Sequence, residues 1–213
     1  NRALTYDDLK KYALALADLT AAIELSPNDP LNHKWRGIIR GKTGDFDAGL
    51  KDLNRAIDLN PDANTYYHRG KLYEEMGKQD LAIADASRSI DIAPNVFHYR
   101  RRASAYEVIG KYDLALQDCN MAFLINPYDA GGYLCRSRIY FATDKFQEAK
   151  KDLDQALTLD PKFAVANRAR ALVEFYSGDT AGAIDDLRKA VELEPSDSYS
   201  AIWLEIASRR SGK

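Results

Sequence analysis

At 213 residues the chain is long enough for one large domain or two ordinary ones. Its 30 basic and 32 acidic side chains give a net charge of −2, and 46% of its residues are apolar. These values describe a folded chain and exclude a global attraction to nucleic acid or anionic lipid. No apolar stretch approaches the length of a bilayer span, and the start at Asn1 carries no signal-peptide pattern.

Proline recurs at Pro27, Pro61, Pro94, Pro127, Pro161 and Pro195, every 33 or 34 residues. A period in this range marks a solenoid whose units stack on their neighbours. The units run approximately 1–29, 30–62, 63–95, 96–129, 130–163 and 164–197, followed by a helix over 198–210. No composition shift or linker interrupts them, so residues 1–213 are expected to form a single array.

Each unit predicts a first helix, a turn, a second helix and a second turn. The first unit opens inside its first helix: Arg2-Ala3-Leu4-Thr5-Tyr6 aligns with Arg102-Ala103-Ser104-Ala105-Tyr106. This register, with the extra helix at 198–210, suggests a segment of a longer protein. Small residues form one column in the first helices (Ala3, Gly37, Gly70, Ala103, Ser137, Ala171). Two more run through the second helices, from Ala15 and Gly49 to Ala183, and from Ala22 and Ala56 to Ala190. Columns seven residues apart share a helix face, and small side chains there let two backbones approach closely. Ile23, Ile57, Ile90, Phe123, Leu157 and Val191, with Leu25, Leu59, Ile92, Ile125, Leu159 and Leu193, complete the second helix's apolar surface. The turn between the helices is Gly44-Asp45, Gly77-Lys78, Gly110-Lys111 or Gly178-Asp179, with Asp144-Lys145 as the variant; Gly suits the left-handed residue that ends a helix.

With the small columns, the aromatics Tyr66, Tyr73, Tyr99, Tyr106, Tyr133 and Tyr140, and the closing proline, the chain resembles the tetratricopeptide repeat (TPR), in its bacterial type. The resemblance covers essentially the whole chain. It implies an all-α, right-handed superhelix (an α-solenoid) of about six helix-turn-helix units plus a C-terminal helix. It also implies a concave wall of first helices that captures extended or helical peptides.

One column is peculiar to this chain. An arginine precedes each small residue of the first helix, and an aspartate follows sixteen residues later: Arg2/Asp18, Arg36/Asp52, Arg69/Asp85, Arg102/Asp118, Arg136/Asp152 and Arg170/Asp186. The planar guanidinium fork suits a carboxylate, so these residues predict a structural ladder of ion pairs rather than a ligand site, within or between units.

The stripe of the first helices that faces away from the second helices supplies the candidate peptide-binding residues. These are Lys34, Trp35, Ile38, Tyr67, His68, Lys71, Arg100, Arg101, Ser104, Leu134, Arg138, Arg168 and Leu172. Cys135 shares the stripe, and Ile202, Trp203 and Ile206 continue it. Arginines and aromatics together mark binding surfaces, and an acidic or carboxylate-bearing peptide fits Arg100, Arg101, Arg138 and Arg168. The carboxylate clamp known in some TPR proteins is not supported. Lys34 and Arg101 fit it, but Ile38, His68 and Phe97 stand where it needs polar or basic groups. An asparagine ladder is missing as well.

No catalytic constellation, metal-ligand spacing or cofactor motif is present. His33, His68 and His98 are isolated, and no phosphate loop or GxSxG elbow occurs. Cys119 sits in the column of Leu19, Leu53, Leu153 and Leu187 and predicts an inert buried thiol; Cys135, nearer the wall, is the more reactive one. The reading is a non-catalytic scaffold or adaptor that binds a protein or peptide partner in its groove. A rival is head-to-tail self-association through the array ends, as a structural module of the bacterial cell envelope. The closing segment from Tyr199 to Arg210, similar to the ends of exported bacterial TPR arrays, leans towards that location. RNA binding is the minor alternative, opposed by Glu74, Glu75 and Glu107 in the same channel.

Overall fold

The computed structural model describes residues 11–212, and these form twelve α-helices. The chain divides into two compact units, residues 1–109 and 110–213. In the first lie α1 (Tyr12–Leu25), α2 (Pro30–Lys42), α3 (Phe46–Leu59), α4 (Ala63–Glu75), α5 (Gln79–Ile92) and α6 (Val96–Val108). In the second lie α7 (Tyr112–Ile125), α8 (Ala130–Ala142), α9 (Phe146–Leu159), α10 (Ala164–Ser177), α11 (Thr180–Leu193) and α12 (Ser198–Arg210). There is no strand among the described residues, and the fold is an all-α repeat.

Local chemistry starts and stops these helices. Asp29 accepts from the Leu31 N–H at 2.9 Å with Pro30 at the first helical position, and Asp62 accepts from Asn64 and Thr65 at 3.0 and 3.1 Å. Such caps satisfy backbone donors that the first helical turn leaves unpaired. The turn variant Asp144 adopts φ of 57°, the left-handed conformation that glycine supplies at Gly77 and Gly178.

Within each unit every helix packs on the next in sequence, most extensively in the hairpins α2/α3, α4/α5, α8/α9 and α10/α11. The small columns lie where these hairpins close. A Cβ added to Gly37 would come within 2.9 Å of the Gly49 carbonyl oxygen and the Leu53 side chain, so only glycine permits the α2/α3 approach. Ala82, Ala149 and Ala183 are buried at the same crossings. Larger side chains fill the flanks: Leu19 with Ile39, Ile38 with Leu53 and Leu72, Leu153 with Ala166 and Val173, and Ile184 with Leu187. The column expected to complete the second helix's apolar surface only partly does so. Leu25, Ile92 and Ile125 end their helices and are 87%, 48% and 45% exposed.

Both cysteines depart from the sequence reading. Cys119 on α7 and Cys135 on α8 form a disulfide, so neither is a free thiol, inert or reactive. The physical reason lies in the packing of each second helix on the following first helix. The equivalent columns meet there as Leu19 with Trp35, Leu153 with Ala169 and Leu187 with Trp203. The cysteines occupy those two columns, with Cα atoms 6.2 Å apart, within reach of a disulfide.

Candidate functional site

The arginine ladder organises the interior of the first helices. Arg36 Nε and Nη2 donate to both carboxylate oxygens of Asp52 at 2.8 Å; Arg69 grips Asp85 in the same way at 2.8 and 2.7 Å. Arg136 holds Asp152 at 2.7 Å through both nitrogens, and Arg170 holds Asp186 at 2.6 and 2.7 Å. All four aspartates are buried, their bonds to arginine are charge-assisted, and these bonds lead the forces that raise the pKa of Arg36, Arg136 and Arg170.

Only the aspartate of the first rung lies among the described residues. Asp18 on α1 is half-buried, whereas Asp52, Asp85, Asp118, Asp152 and Asp186 are buried. Its expected partner Arg2 lies outside the described residues, so the Arg2–Asp18 pair is not among the rungs described here, although Asp18 is itself engaged. Arg102 and Asp118, each of them engaged, fall in different units.

The remaining nitrogen, Nη1, reaches back to the preceding second helix: Arg36 to Thr20 at 3.3 Å, Arg69 to Asn54 at 2.7 Å, Arg102 to Ser87 at 3.0 Å, Arg170 to Asp154 at 2.7 Å. Arg36, Arg69 and Arg170 each tie their own hairpin together and fasten it to the second helix before it. Tyr66 and Tyr73 flank Arg69 with ring centroids 5.4 and 5.8 Å away, as Tyr99 and Tyr106 flank Arg102 at 5.9 Å. That sandwich follows from i−3 and i+4 spacing on a helix.

The candidate binding residues separate into three groups. Leu134 is 9% exposed and packs in the core with Leu153 and Leu157, so it is no wall residue: a leucine in that column sinks into the adjoining hairpin. A second group is engaged internally. Arg101 donates to Glu74 and, at 3.2 Å, to the Tyr67 hydroxyl, while its guanidinium lies 5.1 Å from the Tyr67 ring centroid. Arg168 pairs with Asp197 and lies over Tyr199. Lys34 approaches Asp62 at 3.6 Å. Arg100 and Arg138 are engaged too. The arginines that suggested an acidic ligand thus hold partners of their own. Burial pushes the Glu74 carboxyl upward, against the pull of Arg101. Ser104 and Leu172 are half-buried on α6 and α10.

The third group converges. A cavity of about 230 Å³ opens between α2 and α4, lined by Trp35, Ile38, Gly41, Lys42, Phe46, His68, Lys71, Leu72 and Glu75. Trp35, Ile38, His68 and Lys71 come from the sequence-read stripe. Ile38, only 4% exposed, forms its floor together with Leu72 rather than a free contact surface. Phe46 escapes a first-helix stripe because it opens the second helix, α3, and Gly41, three residues beyond Ile38 in the last turn of α2, has no side chain to mark it. A Cβ on Gly41 would come within 2.8 Å of Leu72, so glycine there keeps the floor in place.

The electrostatics of this cavity are readable from His68. Burial first, and then the charges of Lys71, Lys34, Lys42 and Arg101, lower its pKa to about 4. The imidazole is neutral at pH 7 and sits in a positive field. Glu75 is the acidic group on the rim. Among the described residues no cluster of His, Cys, Asp and Glu is placed to hold a metal ion, and no helix is long and apolar enough to cross a membrane.

Sequence models of the tetratricopeptide repeat match residues 1–29, 36–96 and 130–163. The chain belongs to the tetratricopeptide-repeat family. Human tetratricopeptide repeat protein 13 is 39% identical over 66 residues, which are 31% of this chain and 8% of that protein's length. A TPR protein from Parabacteroides merdae ATCC 43184 superposes with a TM-score of 0.81 at 20% identity, covering 96% of this chain and 81% of its own. YrrB, described as a TPR protein with an unusual peptide-binding site, gives 0.59 at 18% identity over 86% of this chain and 95% of its own. These two likenesses are of fold. TPR arrays are generally non-catalytic scaffolds for protein–protein interaction.

Proposed function

We propose that this TPR chain is a non-catalytic adaptor that seats a peptide segment of a partner protein on the first helices of its N-terminal unit. An apolar side chain of the peptide enters the cavity between α2 and α4, beside Trp35 and Phe46 and over Ile38 and Leu72. The observation that carries this reading is the cavity itself: concave, mostly apolar, with a few convergent polar groups at its mouth. The positive field that holds His68 neutral supports an acidic residue or a carboxylate next to that anchor, facing Lys71. Arg101, locked by Glu74 and Tyr67, positions the neighbouring wall and makes no ligand contact. The scaffold is preorganised by its ladder, so little ordering cost opposes binding.

The Cys119–Cys135 disulfide supports work in an oxidising compartment, a cell envelope or secretory lumen, since cytosolic thiols are kept reduced. Selection from a random peptide display library tests the binding reading. Enriched sequences should pair an apolar residue with an adjacent acidic one, and should lose affinity about tenfold or more against Lys71→Glu. Enrichment without an apolar anchor, or binding indifferent to Lys71→Glu, overturns it.

A further inference from the structure

The outer faces of the second helices are built alike in every repeat but one. The column occupied by Glu24, Asp58, Asp91, Thr158 and Glu192 is exposed and polar, yet on α7 it is Leu124, 78% exposed. One turn earlier the column reads Ala21, Arg55, Arg88, Gln155 and Lys189, and on α7 it is Met121, 39% exposed. Ile125 is 45% exposed beside them, and Tyr128, in the turn that follows, is 79% exposed where other repeats place Asn28, Asp62, Asn95, Lys162 and Ser196. Between Leu114 and Tyr128 the single ionic side chain is Asp118, and it is buried. Scattered exposed leucines need no explanation, but a connected apolar stripe across columns that are mostly polar in the other repeats does.

We propose that this stripe of α7 is a self-association surface, on which a second copy of the chain packs its own α7 across a two-fold axis near Leu124. An isologous contact sets residues at the axis against their own twins. In four of the other five repeats that column would press like carboxylates together: Asp58 on Asp58, Asp91 on Asp91, Glu24 on Glu24 or Glu192 on Glu192. On α7 it presses Leu124 on Leu124. Met121 is directed towards the far end of the partner stripe, the apolar and aromatic chemistry found in the centre of interfaces. The four side chains expose on the order of 500 Å² of apolar surface. With the uncharged rim of Gln117, Asn120 and Asn126 this approaches the roughly 800 Å² per partner of a standard interface, so the dimer is concentration-dependent rather than obligate. The stripe carries no Lys or Arg, which disfavours an anionic lipid surface as its occupant. The contact is independent of the peptide cavity on α2 and α4.

Sedimentation velocity on the whole chain, from micromolar to near-millimolar concentration, tests it. The wild type should shift from monomer to dimer, Leu124→Asp should weaken the dimer by about tenfold or more, and Thr158→Asp at the same column of α9 should leave it unchanged. Leu124→Cys should be joined to a second copy by a short bis-maleimide. A wild type that stays monomeric throughout overturns the proposal; so does a dimer indifferent to Leu124→Asp, or the absence of cross-linking. Because Leu124 is largely exposed, its substitution leaves the fold intact, which circular dichroism verifies.

Discussion

Replacing Arg136 by Met tests the ladder at a rung where the arginine holds its aspartate through both oxygens. The arginine grips both oxygens of Asp152 at 2.7 Å and lies 4.5 Å from the Phe123 ring centroid on the preceding second helix. Methionine keeps most of the apolar stem but removes the fork, leaving the Asp152 carboxylate, 4% exposed, without its principal partner. Stranding a buried charge in this way costs about 3–5 kcal/mol. In a chain of this length, with about 2–4 °C per kcal/mol, the melting temperature should fall by about 6–20 °C. The double change Arg136→Met with Asp152→Leu removes the stranded charge and should recover most of the loss, because an apolar pair can replace a buried ion pair at little cost. Urea and thermal unfolding followed by circular dichroism measure all three proteins. A single variant that loses less than about 1 kcal/mol would refute the reasoning, as would a double variant no more stable than the single one.

Three further outcomes are expected. The native protein should show no thiol reactive to Ellman's reagent, and reduction, or Cys119→Ala with Cys135→Ala, should cost roughly 3 kcal/mol for a loop closed over 16 residues. Stability should fall as pH drops from about 6.5 towards 4, because unfolded His68 takes up a proton that the folded protein refuses until about 4. The loss is up to about 3 kcal/mol, at 1.36 kcal/mol per pKa unit, and a pH series of urea titrations on wild type and His68→Gln should show it flattened in the variant. Gly37→Ala should destabilise by about 1–3 kcal/mol through overpacking, whereas Gly70→Ala, whose new Cβ would stand 3.3 Å from the nearest atom, should be close to neutral in the same assay.

Much of the fold is written in periodicity. Six prolines and three columns of small residues identify the hairpins, because close helix approach at a fixed crossing admits few side chains and so repeats in sequence. The arginine and aspartate columns are equally visible. The role of each third nitrogen is not, since its partners are Thr20, Asn54, Ser87 and Asp154, different residues that share only a position. The disulfide was concealed for a related reason: its cysteines stand in columns filled elsewhere by leucine, tryptophan and alanine, and only the packing of α7 on α8 brings them together. A signal did exist, because Cys119 and Cys135 lie sixteen apart, the separation of Thr20 from Arg36 across the same kind of junction.

The candidate site was legible in part. Trp35, His68 and Lys71 follow from counting along the first helices, but Phe46 opens a second helix and drops out of such a count, and Gly41 has no side chain to mark it. Charge misled the reading of Arg101 and Arg168. Their partners Glu74 and Asp197 lie 27 and 29 residues away on other elements, too far for a helix-face argument to connect.

The central claim, that the cavity between α2 and α4 holds the partner's anchor residue, is most directly tested by the fluorescence of Trp35. The chain has two tryptophans, so Trp203→Phe leaves Trp35 as the sole reporter, on the wall of the cavity. Titration with a display-selected peptide should shift its emission saturably, and replacing the peptide's apolar anchor with alanine should abolish the shift. Binding established by calorimetry while Trp35 emission stays unchanged would contradict the account.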